Sequence, residues 1–124
     1  MKQFKNSGFI VVFLLLSSFS YAQTPKELVN DLSALIQNKN PLAEVFFTEY
    51  SGKLSINGNQ IPLKQVAMYY SEKKGPILVF QCIQKSKVKC IYKPKTDNHF
   101  EIFSIPMDDK ESVDRAMEIV NQLR

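Results

Sequence analysis

The sequence predicts a fold of the α+β class. An N-terminal helix and a closing C-terminal helix flank an antiparallel sheet or bent barrel of about six to seven strands. Two segments, one near each end of the chain, combine a helix-start signal with apolar residues at helical spacing. The residues between them form short β-rich runs separated by turn signals. These short connections indicate antiparallel pairing, because parallel neighbours need long crossovers.

Residues 1–22 have the composition of a cleaved signal peptide. Two lysines precede an apolar run over residues 8–16, and Ser20 and Ala22 stand at the small-residue positions of a cleavage site. The run is shorter than the roughly 20 apolar residues of a membrane-spanning helix. We therefore expect export to the periplasm or the extracellular space. Removal of the segment and its two lysines lowers the formal charge from +4 to +2 and leaves one domain of 102 residues.

The first helix is predicted within residues 23–41. Thr24 is followed by Pro25 and Glu27, which is the pattern of a capping box with proline at the first helical position. Apolar residues then recur at helical spacing as far as Gln37, and residues 38–41 stop the helix.

Six segments between the helices are predicted to be strands, because they are rich in β-branched and aromatic residues and are bounded by turn residues. They are residues 44–50, 53–56, 63–70, 77–84, 87–93 and 100–105. The Asn57-Gly58-Asn59 triplet marks a tight turn, since Asn and Gly tolerate positive φ angles. Residues 72–76 and 94–98 are predicted to be loops.

The closing helix is predicted to begin at Asp108, with Glu111 three residues further on as the partner in a cap. Its apolar face is expected to consist of Val113, Ala116, Met117, Val120 and Leu123. The intervening charged residues lie off that face, which is typical of a helix that covers a core on one side.

The two cysteines of the chain, Cys82 and Cys90, are predicted to form a disulfide. A small, even number of cysteines in an exported chain is typical of disulfide bonding. Two thiols without a histidine cluster fall short of a tetrahedral zinc site, and the spacing is not the C-x-x-C of a redox motif. A three-residue turn at residues 85–87 would place the cysteines directly opposite each other in a hairpin, within bonding distance. A two-residue turn would offset them, and two free thiols are the alternative.

The strands followed by one amphipathic helix, written SIPMDDKESVDRAMEIVNQLR, resemble the pleckstrin-homology-like fold. The stretch VFQCIQKSKVKCIYKP is similar to a hairpin in small exported bacterial proteins of this fold. The resemblance covers residues 42–124, packed with residues 23–41 as one globular unit. It implies a non-catalytic module that binds phosphoinositide headgroups, peptides or protein partners. The helix before the sheet departs from this pattern and suits the alternative, a cystatin-like or nuclear-transport-factor-like helix on a curved sheet.

A lysine-rich segment is the candidate binding site of the sequence. Seven lysines and no acidic residue lie between residues 73 and 95. Five of them share one parity, namely Lys85, Lys87, Lys89, Lys93 and Lys95. An unbroken strand would direct these five to one side, where they would meet an anionic surface or partner. The alternative is a solvated strand whose lysines deter edge-to-edge aggregation.

Apolar residues occupy both faces of the predicted strand at residues 77–84, and aromatic pairs occur at Phe46-Phe47 and Tyr69-Tyr70. A sheet with one face in water alternates more cleanly than this. Either the N-terminal helix or the curvature of a barrel covers the second face, or that face binds a partner or a second copy of the chain.

The sequence offers little for catalysis. It has one histidine, His99, and four glycines, which form no phosphate-binding loop. We therefore predict no catalytic, metal or cofactor site, and no nucleic-acid partner. The expected function is an exported non-enzymatic binding module for an unidentified protein or an anionic envelope component. The alternative is a peripheral binder of anionic membrane or polysaccharide through the lysine-rich hairpin, and a small enzyme using His99 is the third interpretation.

Overall fold

The computed structural model describes residues 23–83 and 88–124. The predicted signal peptide, residues 1–22, and the predicted turn at residues 85–87 lie outside the described residues. The described ranges contain helices α1 (Pro25–Lys39) and α2 (Lys110–Leu123) and a short 3₁₀ turn (Leu63–Gln65). The strands are β1 (Val45–Thr48), β2 (Lys53–Ile56), β3 (Asn59–Pro62), β4 (Val66–Ser71), β5 (Ile77–Cys82), β6 (Ile91–Lys93), β7 (Asn98–Phe100) and β8 (Ile102–Pro106). None of the helices in these ranges has the length and apolar character needed to cross a membrane.

The strands form two antiparallel sheets, one of five strands in the order β1-β2-β3-β6-β7 and one of three in the order β4-β5-β8. The prediction of an α+β fold with a helix at each end is confirmed. In the part of the chain that is described, the two sheets stay open and do not close into a barrel. The pleckstrin-homology-like assignment stays a prediction.

One hydrophobic core lies between the sheets and the two helices. Both helices contribute to it, and they also pack against each other. Its largest fully buried side chains are Leu32 and Ile36 of α1, Leu54, Ile56, Ile61, Leu78, Phe80 and Ile91 of the strands, Leu63, Val66 and Met107, and Ile119 of α2. The N-terminal helix therefore covers the core side of the sheets.

The capping box of α1 is confirmed. The backbone N–H of Glu27 donates to Thr24 Oγ1 at 3.2 Å, and the N–H of Thr24 donates to Glu27 Oε1 at 3.0 Å. The helix ends at Lys39 rather than at Gln37. The side chain of Asn40 donates to the carbonyl oxygen of Pro106 at 2.9 Å, so that it ties the end of α1 to β8.

The cap of α2 is Asp109 and not Asp108 as predicted. The backbone N–H of Ser112 donates to Asp109 Oδ1 at 2.8 Å. Two adjacent aspartates satisfy the same sequence signal, which is why the pattern alone did not distinguish them. This bond lowers the pKa of the Asp109 carboxyl, because the N–H groups at the start of the helix stabilise the charged form.

We expect the free energy of unfolding of Asp109→Asn to fall less on acidification than that of the wild type. The folded-state pKa of Asp109 is lowered from 3.8. Its stabilising contribution is therefore complete above a pH of about 4 and is lost as the pH falls through the folded-state pKa. Asparagine retains a cap but does not ionise. Urea unfolding of both proteins at neutral pH and at a pH of about 3 should show a stability difference that shrinks on acidification. An equal difference at both pH values would contradict this role of the carboxylate.

Strand β3 is absent from the sequence prediction. Asn57 and Gly58 have φ angles of 52° and 81°, which is the signature of a two-residue type I′ turn. This turn pairs Ile56 with Asn59, and the short β3 follows at once. The buried side chain of Asn59 donates to the carbonyl oxygen of Ile56 at 3.0 Å. The sequence predicted this turn, but Pro62 and two polar residues are not typical of a strand, so that β3 was missed.

The predicted hairpin between the two cysteine-bearing strands is wrong, although the disulfide is confirmed. β5 pairs with β4 and β8, whereas β6 pairs with β3 and β7. The Cys82–Cys90 bridge has a Cα–Cα distance of 5.9 Å. It joins the end of β5 in the three-stranded sheet to the residue that precedes β6 in the five-stranded sheet. The disulfide therefore links the two sheets rather than two neighbouring strands.

Candidate functional site

The described lysines of the predicted lysine-rich segment do not all lie on one strand. Of the five that share one parity, Lys89, Lys93 and Lys95 lie before, at the end of and after β6, while Lys85 and Lys87 are outside the described residues. Ile91 has the same parity as the lysines, yet it is fully buried in the core. The predicted strand over residues 87–93 is too long: β6 begins at Ile91 and ends at Lys93, so that Lys89 and Lys95 lie outside it. That the five lysines bind an anionic partner stays a prediction.

His99 lies in a small aromatic cluster on the outer face of the five-stranded sheet. Its ring stacks on Tyr92 of the neighbouring strand, with the ring centroids 4.5 Å apart. The Tyr92 hydroxyl donates to Asp97 Oδ1 at 2.9 Å. This hydrogen bond raises the pKa of Tyr92, because ionisation would break the bond and place two negative charges together. Cross-strand packing and the turn before β7 thus account for the position of His99.

The acidic residues of α2 line a groove of about 460 Å³ beside α1. Two of them form exposed ion pairs at helical spacing. Lys110 Nζ lies 2.9 Å from Asp114 Oδ2, and Arg115 Nη1 lies 3.4 Å from Glu118 Oε1. Pairs of this kind are typical of a solvated helix surface. Within residues 23–83 and 88–124, no three potential metal ligands come together.

The strongest candidate site is the edge strand β1. Three large apolar side chains at or beside this strand are exposed to solvent: Leu42 at 93 %, Phe46 at 63 % and Tyr50 at 98 %. Single exposed apolar residues are common, but three on one short segment are typical of an interaction surface. We call the free side of β1, together with Leu42 and Tyr50, the β1 edge.

The turn after β2 determines which backbone N–H and C=O groups of β1 point away from β2, toward the free edge. A two-residue turn makes Ile56 and Asn59 a hydrogen-bonded pair, so that the N–H and C=O groups of Ile56 point toward β3. Val45 lies opposite Ile56 on the other side, so its own groups point away from β2. Phe47 has the same parity. Within the described residues β1 pairs only with β2, so that the edge presents the donors and acceptors of Val45 and Phe47.

A groove of about 440 Å³ runs between α1 and β1. Pro25 and Val29 of the helix and Val45, Phe46 and Phe47 of the strand form its apolar lining. The polar lining residues are Lys26, Asn30 and Glu49. Val45 and Phe47, which carry the free backbone groups of the edge, are both among its lining residues.

A second groove, of about 360 Å³, lies at the other end of β1. Phe47, Glu49 and Tyr50 line it together with Leu123 and Arg124 from the end of α2. Ser51, Lys64 and Gln65 also line this groove, so that its surface is more polar than that of the groove between α1 and β1.

Sequence reasoning marked the Phe46-Phe47 pair as excess apolar surface but did not identify the β1 edge. Strand order decides which strand lies at an edge, and strand order is set by long-range pairing that no local pattern records. The absence of lysine and proline from the VFFT segment was the one available signal, since natural edge strands often carry such residues for protection. Comparisons with protein-family models, with curated proteins and with solved structures found no match to this chain.

Proposed function

We propose that the mature chain is an exported binding module without enzymatic activity, and that it takes up an extended polypeptide segment at the β1 edge. The disulfide supports export, because such bonds persist in oxidising compartments such as the periplasm or the extracellular space. The signal-peptide composition of residues 1–22 supports the same location.

The observation that carries the proposal is the combination, on one strand, of free backbone groups and exposed apolar side chains. A peptide that adds to a sheet edge gains affinity from main-chain hydrogen bonds and specificity from pockets for alternate side chains. Val45 and Phe47 supply the hydrogen-bonding groups. The groove between α1 and β1 offers the adjacent apolar contact surface.

Selection of short random peptides against the mature protein tests this proposal. We expect the selected peptides to share apolar residues at alternate positions, because only every second side chain of an added strand faces the groove. Methylation of the backbone nitrogens at one set of alternate positions should abolish binding. Methylation at the other set should leave binding intact, because those N–H groups point away from β1.

Phe46→Lys is expected to weaken binding of the selected peptides by about tenfold or more, because it removes apolar contact area at the edge. Ile102→Lys is the matched control, since Ile102 is also an exposed apolar residue but lies on β8. Both substitutions should leave the fold unchanged. Equal affinity in wild type and Phe46→Lys would contradict binding at the β1 edge.

The lysine-rich segment gives the rival proposal, a peripheral binder of anionic membrane or polysaccharide. Binding to anionic vesicles would then fall steeply with salt and on changing Lys89 and Lys95 to glutamate. Both residues are exposed. Salt-tolerant peptide binding that depends on Phe46 would favour the β1 edge instead.

A further inference from the structure

The outward-facing backbone groups of the β1 edge are arranged symmetrically about Phe46. Val45 and Phe47, whose backbone groups face outward, lie one residue to either side of Phe46. In an antiparallel pair of two β1 strands centred on Phe46, Val45 of each copy lies opposite Phe47 of the other. Each of these two pairs can exchange both of its hydrogen bonds. The pattern of outward-facing donors and acceptors is therefore complementary to itself.

The exposed apolar side chains follow the same symmetry. Leu42 precedes Phe46 by four residues, and Tyr50 follows it by four. A two-fold axis at Phe46 places the two Phe46 side chains opposite each other, in a pair without mutual hydrogen bonds, where side chains approach most closely. The same axis brings Leu42 of one copy to the end of the strand where Tyr50 of the other lies.

The charges near the strand are compatible with this pairing. In the register centred on Phe46, Glu44 lies opposite Thr48 of the second copy, while Glu49 lies beyond β1, in the turn that leads to β2. Like charges directly opposite each other destabilise a strand pair, and this register places none there.

We propose that the polypeptide segment bound at the β1 edge is β1 of a second copy of this chain, paired antiparallel about a two-fold axis through Phe46. The inference rests on the proposed function, since it assigns an occupant to the same edge. It joins two five-stranded sheets into one continuous sheet and brings the exposed Phe46 side chains of the two copies together. An isologous contact of this kind forms a closed dimer, so that no further copy can add at the same edge.

A charge exchange at residue 46 tests the axis directly. The wild-type mature protein should sediment as a dimer, and Phe46→Glu or Phe46→Lys alone should weaken dimerisation by about a hundredfold, because each places two like charges together. An equimolar mixture of the two variants should recover dimers that contain one copy of each. The pair Ile102→Glu and Ile102→Lys, changed at an exposed residue of β8, should dimerise like the wild type.

A cysteine at position 46 gives a second measurement that does not depend on affinity. Directly opposite residues in a pair without mutual hydrogen bonds have Cα atoms about 4.5 Å apart, within the range that a disulfide accepts. Phe46→Cys should therefore form a disulfide-linked dimer while Cys82–Cys90 stays intact in peptide mapping. Thr48→Cys should not cross-link, because its own counterpart lies at the other end of the paired strands.

The outcomes separate this inference from the proposed function. A wild-type monomer whose peptide binding still depends on Phe46 would overturn the dimer and leave the module that binds extended peptides. A wild-type dimer that tolerates both charged residues at position 46 would overturn the proposed axis. A monomer that also selects no peptide would overturn both proposals.

Discussion

Phe80→Ala is expected to lower the free energy of unfolding by about 3–5 kcal/mol, the range for removing a buried phenylalanine. Phe80 lies at the centre of β5, between Met68 of β4 and Phe103 of β8, and it is 0 % exposed. Its ring centroid is 6.3 Å from that of Phe103. The substitution removes these contacts and leaves a cavity that the neighbouring strands fill only in part. Urea unfolding monitored by circular dichroism measures the effect.

Phe46→Ala is the matched control for this prediction. It makes the same chemical change at a side chain that is 63 % exposed. We expect the free energy of unfolding of the monomer to change by about 0.5 kcal/mol or less. If both substitutions lowered the free energy of unfolding by similar amounts, the Phe46 side chain of β1 would have to be part of a hydrophobic core.

Removal of the disulfide is expected to have the next largest effect. The double variant Cys82→Ser, Cys90→Ser should lose about 2–3 kcal/mol on the chain-entropy model, which corresponds to a fall in Tm of about 10 °C or more. The bridge restrains the link between the two sheets, so that its loss should reduce stability while the circular dichroism spectrum stays the same. Thermal unfolding of wild type under reducing conditions provides the control, because it should reproduce the double variant. A double variant as stable as the oxidised wild type would show that the bridge contributes nothing.

Local signals in the sequence were sufficient for the helices and for the covalent link. Thr24 and Glu27 form the predicted cap because a capping box involves only residues within one turn. The pairing of Cys82 with Cys90 followed from the presence of just two cysteines in a chain that was predicted to be exported. The wrong hairpin shows the limit of this reasoning, since the same bridge fits strands in two different sheets.

The departures from prediction have one physical cause, the dependence of strands on distant partners. β6 was predicted too long because lysines alternate with apolar residues before it, yet only Ile91–Lys93 finds a partner strand. The predicted strand at residues 100–105 is divided between β7 and β8, which belong to different sheets. No local pattern could identify the β1 edge either, because the order of the strands determines which of them lies at an edge.

The order of strands within the sheets also determines when the chain can fold. β3 pairs with β6, and β5 pairs with β8, so that each sheet needs residues from the second half of the chain. Leu32 and Ile36 of α1 share their core with α2, which follows all eight strands in the described part of the chain. Such long-range pairing slows folding, because the ends of long loops must meet before any contact stabilises them. A chain that emerges N-terminus first therefore has no completed core before residues 110–123 are present.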